Sequence, residues 1–249
     1  MKTIKRVNIL NITFTANRFE EMVALLVNRI SNKQKTFIVT ANPEIVMHAK
    51  KHEDYMSAVK DADFIVPDGY GIILASRILN TPISERVTGY DLTVRLLELS
   101  NQNKWRVYLL GGKEEVNAAA ANNIKKRYPH LQLVGRHHGF FDWEEGGISA
   151  DIQSLQPDIV LVALGVPRQE LWTASQIDQF SHGIFMGVGG SIDVLAGTVK
   201  RAPKIWQTLR VEWLYRLVKQ PSRWKRMLAL PEFILEVFKV KFNINNKAK

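Results

Sequence analysis

The chain of 249 residues contains no cysteine. That excludes a disulfide framework, a thiolate zinc site and a thiol nucleophile together, and it fits cytoplasmic residence. Long apolar runs are missing too. The longest, residues 159–166, falls well short of the roughly 20 residues needed to cross a bilayer. The amino terminus is basic over residues 1–6, but residues 7–14 alternate apolar and polar side chains and read as an opening β-hairpin, not a signal-peptide core. Prolines number only 9, hydrophobic residues make up 46%, and no low-complexity stretch or compositional linker occurs. A packed globular chain is expected, with any disorder at its ends.

Acidic residues are scarce at one end. Residues 200–249 hold thirteen lysines and arginines against Glu212, Glu232 and Glu236, so the whole net charge of +10 sits there and residues 1–199 are neutral. The same stretch carries Trp206, Trp213 and Trp224, half of the 6 tryptophans. We read residues 1–199 as a catalytic core and 200–249 as a helical appendage. Pro221 is expected to end one helix and begin another, with Arg223 and Arg226 on one face and Met227, Ile234, Leu235, Phe238 and Phe242 supplying apolar surface. Such helices suit an anionic membrane surface, where each basic residue contributes about 1 kcal/mol. A helical pair packed on the core, sending Arg216, Arg223 or Arg226 into a site, fits the same residues, and the two roles are compatible. Nucleic acid is disfavoured because the core shows no recognisable module for it. Whether copies of the chain form a homo-oligomer is left open.

Short β-branched or aromatic runs alternate with helix-period segments, the pattern of a Rossmann-like α/β fold with a largely parallel sheet and flanking helices. Strands are expected at residues 36–40, 64–66, 106–110, 131–134, 158–164 and 183–188. Helices are expected at 17–31 (with Asn17 as a cap), 43–60, 69–79, 90–101, 113–128 and 167–180.

Ligands of open parallel sheets bind beyond the carboxyl ends of the strands, so the residues just after each strand matter most. Gly111-Gly112 and Gly189-Gly190 either present N–H groups to a phosphate or serve tight turns. Neither completes G-x-G-x-x-G, which argues against a nicotinamide dinucleotide. Asp68, between Pro67 and Gly69, suits a general base at the crevice rim and equally suits a cap for the helix behind it. Thr40 and Asn42 are placed to bond a sugar hydroxyl, or to be strand threonine and capping asparagine. Asp61-Ala62-Asp63 has a metal-binding form but precedes its strand, so a solvated turn is favoured. Without a metal, a departing diphosphate needs a cation such as Arg86. His137-His138 lacks further ligands at suitable spacing. Residues 165–170, with Pro167 at a plausible helix start, aim Gln169 at the crevice.

Taken in order, Thr40-Ala41-Asn42-Pro43-Glu44, Pro67-Asp68-Gly69-Tyr70-Gly71, Arg86-Val87-Thr88-Gly89, Gly165-Val166-Pro167-Arg168-Gln169-Glu170, Gly187-Val188-Gly189-Gly190, Lys200-Arg201-Ala202-Pro203 and Glu212-Trp213-Leu214-Tyr215-Arg216-Leu217 resemble the WecG/TagA/CpsF family of glycosyltransferases. Arg168 stands where many members have lysine. The resemblance implies transfer from a UDP-sugar donor to an undecaprenyl-diphosphate-linked acceptor, with inversion and with neither metal nor cofactor, by a protein peripheral to the inner face of the plasma membrane. By motif it implies Asp68 as base, with Thr40, Asn42, Arg86 and Gln169 holding substrates. It also implies Gly111, Gly112, Gly189, Gly190 and Asp193 at the nucleotide, and Arg216, Arg223 and Arg226 completing the site. The segments around Asn42 and Asp68 are most similar to members that move N-acetylmannosamine onto lipid-linked N-acetylglucosamine in teichoic acid linkage-unit synthesis. Residues 201–209 are close to members that move N-acetylmannosaminuronate, so the donor stays open between the two.

Overall fold

A computed structural model describes residues 3–143, 147–209, 212–219 and 224–247, with the side chains of 216, 225 and 243–247 outside that description. The chain opens with the expected hairpin, β1 (Arg6–Ile9) against β2 (Ile12–Thr15). Leu10 (φ 49°) and Asn11 (φ 67°) both take the left-handed conformation that a two-residue hairpin turn requires. Asn17 does not cap the next helix. Its side chain ties the hairpin down instead, accepting from Lys5 N–H (2.9 Å) and donating to Thr3 O (3.1 Å). Helix α1 (Phe19–Ser31) is capped one residue later, where Glu21 accepts the Arg18 N–H (3.0 Å), and it buries Met22, Val23, Leu26 and Ile30 as one stripe.

All six expected strands form, in one wholly parallel sheet: β3 (Lys35–Ala41), β4 (Phe64–Pro67), β5 (Arg106–Gly111), β6 (Gln132–His137), β7 (Ile159–Ala163) and β8 (Gly183–Gly187). Their spatial order is β4-β3-β8-β7-β5-β6. Side chains of the central strands alternate between two covered faces. In β7, Ile159 and Leu161 join one cluster while Val160 and Val162 join another. A strand buried on both sides has no polar face to expose, which is why these runs are continuously apolar in sequence.

The first face carries α1, α5 (Gly89–Asn103), α6 (Glu114–Arg127) and the short α9 (Ser191–Leu195). The second carries α2 (Pro43–Lys51), α3 (Glu53–Lys60), α4 (Tyr70–Ile78) and α8 (Arg168–Gln176), the last followed by a 3-10 turn at Ile177–Gln179. The expected helix at 43–60 is two helices, because His52 turns to extended backbone (φ −134°, ψ 112°) between them. Helix α7 (Gly147–Ser154) was hidden by its short, weakly periodic sequence. The connection leaving β5 crosses one face and that leaving β7 the other, so their loops diverge and open a crevice at the sheet's carboxyl edge.

Beyond residue 200 come α10 (Lys204–Thr208), α11 (Glu212–Lys219), α12 (Trp224–Met227) and α13 (Ala229–Lys247). Pro221 lies outside the described residues. Helix α13 packs on α2 and α4, burying Phe233 and Val237 completely, and its outer flank pairs Lys50 with Glu236 and Lys51 with Glu232. No helix among the described residues is long and apolar enough to cross a membrane. Truncating a fully buried phenylalanine removes its transfer energy and leaves a cavity, so Phe233→Ala is expected to cost about 3–5 kcal/mol in urea denaturation. Leu235→Ala, on the exposed face of the same helix, is expected to change stability by less than about 0.5 kcal/mol.

Candidate active site

The carboxyl ends of all six strands open into one cleft of about 700 Å³. At the end of β3, the Thr40 hydroxyl donates to Gly187 O (2.8 Å) on β8. Asn42 caps α2 by accepting the Ile45 N–H (3.0 Å), so the group it can offer a ligand is its amide nitrogen. Asp68 follows β4, its own N–H bonded to Ala41 O (2.9 Å). It does not cap the helix immediately behind it. Gly69 occupies that position with φ 97°, a conformation glycine adopts without steric cost, and the half-buried Asp68 carboxylate reaches across to accept the Gly89 N–H (3.1 Å) at the start of α5.

The two glycine turns differ. Gly112 spends its N–H on Ala163 O (3.0 Å) and its carbonyl on Gly139 N–H (2.8 Å), which is a turn's use of glycine. Gly111 lies behind the cleft wall against the backbone of Ala163. The Gly189 and Gly190 N–H groups have no hydrogen-bond partner among the described residues, and both line the cleft beside Asp193. That turn can offer donors to an anion.

Of the four arginines that line the same space, Arg168 bonds Gly139 O (3.1 Å) and the other three are each paired across the junction between residues before and after 200. Arg86 lies 3.7 Å from Glu212, and Arg226 lies 3.4 Å from Glu44. Arg201 holds Asp91 through both nitrogens (2.7 and 2.9 Å) and stacks over Tyr90, 4.7 Å from its ring centre. Burial raises the Asp91 carboxyl, but hydrogen bonds from Arg201 and Thr88 outweigh it and hold the group below its ordinary value. Trp213, Met227 and Leu230 add an apolar wall.

Gln169 and Glu170, at the start of α8, are almost fully buried (3% and 1% exposed). Gln169 Nε2 donates to Glu170 Oε1 at 2.5 Å. The Tyr55 hydroxyl, from α3, faces the same carboxylate. Burial pushes the Glu170 carboxyl up to about 7, the bond from Gln169 offsetting only part of the rise.

Of the residues singled out in the sequence, Thr40, Asn42, Asp68, Arg86, Gln169, Gly112, Gly189, Gly190, Asp193 and Arg226 come together on the cleft. Arg223 and the side chain of Arg216 lie outside the described residues. Asp63 sits at the opposite edge of the sheet, accepting the Phe37 N–H (2.9 Å) and pairing with Arg29 (3.5 Å). Among the described residues no group of three or more His, Asp or Glu is arranged to hold a metal ion. Sequence reasoning missed three contributors. Lys113 read as a helix start, Phe140 (68% exposed at the rim) carried no periodic signal, and the partnership of Arg201 with Asp91 spans 110 positions.

An open parallel sheet with cationic and hydroxyl-binding groups gathered over its carboxyl edge defines an α/β protein with its ligand site at the strand ends. The chain belongs to the glycosyl transferase WecG/TagA/CpsF family, whose description matches residues 7–247, and it is a glycosyltransferase. Relatives from Staphylococcus aureus strains MRSA252, MW2 and NCTC 8325 bear the name N-acetylglucosaminyldiphosphoundecaprenol N-acetyl-beta-D-mannosaminyltransferase. Each is 37% identical over 246 residues, covering 98% of this chain and 96% of the relative.

Because Glu170 resists ionisation in the fold, the folded state binds its proton more tightly than the unfolded chain does. Stability is therefore lost as pH rises from the unfolded carboxyl value through about 7. Relative to Glu170→Gln, the native protein is expected to lose about 3 kcal/mol between pH 4 and pH 8 in denaturation experiments.

Proposed function

We propose that the protein transfers N-acetylmannosamine from UDP-N-acetylmannosamine to N-acetylglucosaminyl-diphospho-undecaprenol, forming a β-1,4 link with inversion and without a metal. The observation that carries this reading is Asp68, a half-buried carboxylate at a strand end, held by a backbone N–H on a cleft that also holds arginines. The names of the Staphylococcus aureus relatives support the acceptor and the sugar moved, and the UDP donor is part of the proposal. Asp68 takes the proton from the acceptor hydroxyl as its oxygen attacks the anomeric carbon from the face opposite the leaving UDP. Arg86 and the N–H groups of the Gly189-Gly190 turn receive the charge that develops on the diphosphate, which substitutes for a metal. Thr40, Asn42 and Gln169 orient the sugars, and Asp193 sits at the nucleotide.

Residues 200–249 act in this reading as an appendage that closes the site and rests on the anionic inner face of the plasma membrane. In support, nine of the eleven exposed large hydrophobic residues among those described lie there, Trp213, Trp224, Phe238 and Phe242 among them. Interfacial tryptophan beside excess positive charge suits a lipid surface.

General-base catalysis contributes about 10²–10⁴-fold, so Asp68→Asn is expected to lose that much kcat while UDP binding persists. Unchanged turnover would remove Asp68 from the role. UDP release measured over a panel of UDP-sugars with a detergent-soluble acceptor is expected only with UDP-N-acetylmannosamine and to continue in excess EDTA. Release from UDP-N-acetylmannosaminuronate instead would select the other donor, and loss in EDTA restored by Mg²⁺ would require a metal. Substituting Arg216, Arg223 or Arg226 by alanine is expected to slow the reaction even on that soluble acceptor, whereas an appendage that only anchors would leave it intact.

A further inference from the structure

Gln169 lines the cleft, and Glu170 beside it is one of the most deeply buried charged residues of the chain. Nothing in the transfer chemistry above uses Glu170. A Cβ on Gly187 would stand 2.9 Å from Gln169 Nε2 and 3.4 Å from Glu170 Oε1, so the pair is wedged against the end of β8 where only glycine leaves room. With its amide nitrogen committed to Glu170, Gln169 turns its oxygen the other way, toward the Gly189 turn, 3.8 Å from where a β-carbon on Gly189 would lie. That oxygen is buried and has no hydrogen-bond partner among the described residues. A buried carbonyl oxygen left unpaired costs free energy, and beside a cleft a donor from a ligand would offset that cost.

We propose that Glu170 is a positioning residue: by accepting the Gln169 amide N–H it fixes which way the amide faces, so that the Gln169 oxygen receives an O–H or acetamido N–H of a sugar substrate. The proposal rests on the glycosyl-transfer reading given above. An amide free to flip would present its nitrogen half the time and repel the same donor. Nitrogen and oxygen of Gln169 are assigned here by Glu170 Oε1, which accepts as a carboxylate oxygen and, in the acid form, as the carbonyl oxygen. Tyr55 closes the far side of the carboxylate from α3, and Glu44 on α2 is the other acidic group that bears on it.

The test is kinetic. Glu170→Met keeps the side-chain length and removes the acceptor, and it is expected to lower kcat/KM for a sugar substrate about 10-fold or more with UDP affinity unchanged. Glu170→Gln, whose amide can pair with Gln169 in either sense, is expected to fall between the native enzyme and Glu170→Met. On a Gln169→Ala background, Glu170→Met is expected to have almost no further effect, since residues acting through one another are not additive. A Glu170→Met enzyme within twofold of native, or a full effect of Glu170→Met on the Gln169→Ala background, would overturn the proposal. So would a folded Glu170→Gln enzyme whose loss is undiminished on the Gln169→Ala background, and this last arm stands even if the methionine variant fails to fold. Absence of transfer by the native protein with every UDP-sugar would instead sink the functional reading, so the two failures are distinguishable.

Discussion

The cleft depends on where β8 runs out of ladder partners. This strand lies between β3 and β7 with both faces covered, so its backbone groups are consumed by pairing until the strand ends at Gly187. From there each polar group finds a different use. Gly187 O takes the Thr40 hydroxyl, Val188 N–H bonds Val162 O, and the next two N–H groups face the cleft. The absence of a side chain at Gly187 lets Gln169 approach from the neighbouring helix. Polar chemistry is thereby confined to the ends of an otherwise apolar slab, with Asp63 and Asp158 serving backbone N–H groups at the amino edge and the cleft at the carboxyl edge, because a buried backbone group without a partner is too costly in between.

That confinement explains what the sequence reveals and what it conceals. The strands were legible because double-sided burial demands continuous apolar runs such as residues 159–163. Helix ends were less so. Asn17 looks like a cap, yet its side chain joins Thr3 and Lys5, just before the hairpin, to Glu21 on α1, a contact between segments that local pattern cannot report. At the site, residues that follow strands directly, such as Asp68 and Asn42, could be found by position alone. Arg201 could not, because its partner Asp91 is remote in sequence and neither residue stands at a strand end.

The basic carboxyl-terminal stretch is held to the core by two kinds of force, and magnitudes separate them. Burying Phe233 and Val237 contributes about 1.5–3 kcal/mol for each side chain, while partly exposed ion pairs are worth about 0–1 kcal/mol apiece. Apolar contact therefore fastens α13, and the pairs Arg86–Glu212, Arg201–Asp91 and Arg226–Glu44 contribute mainly orientation. All three bridge the junction near residue 200 at the cleft. The positive charge that in composition suggests only adhesion to an anionic surface is, for Arg201 and Arg226, directed into the site.

The same weighing applies beneath the cleft. A carboxyl group that burial pushes up to about 7 makes the fold less stable at neutral pH than a well-packed apolar side chain of similar volume would. One oxygen each of Gln169 and Glu170, without a hydrogen-bond partner among the described residues, adds to that cost. Packing alone gives no reason for either residue, since α8 already buries Trp172 and Thr173 on the same side. Departures from the rule that buried polar groups are satisfied concentrate where a ligand supplies what is missing. Here the departure lies in the cleft wall at Gln169 and just behind it at Glu170, against the strand end that sets the position of everything else in the cleft.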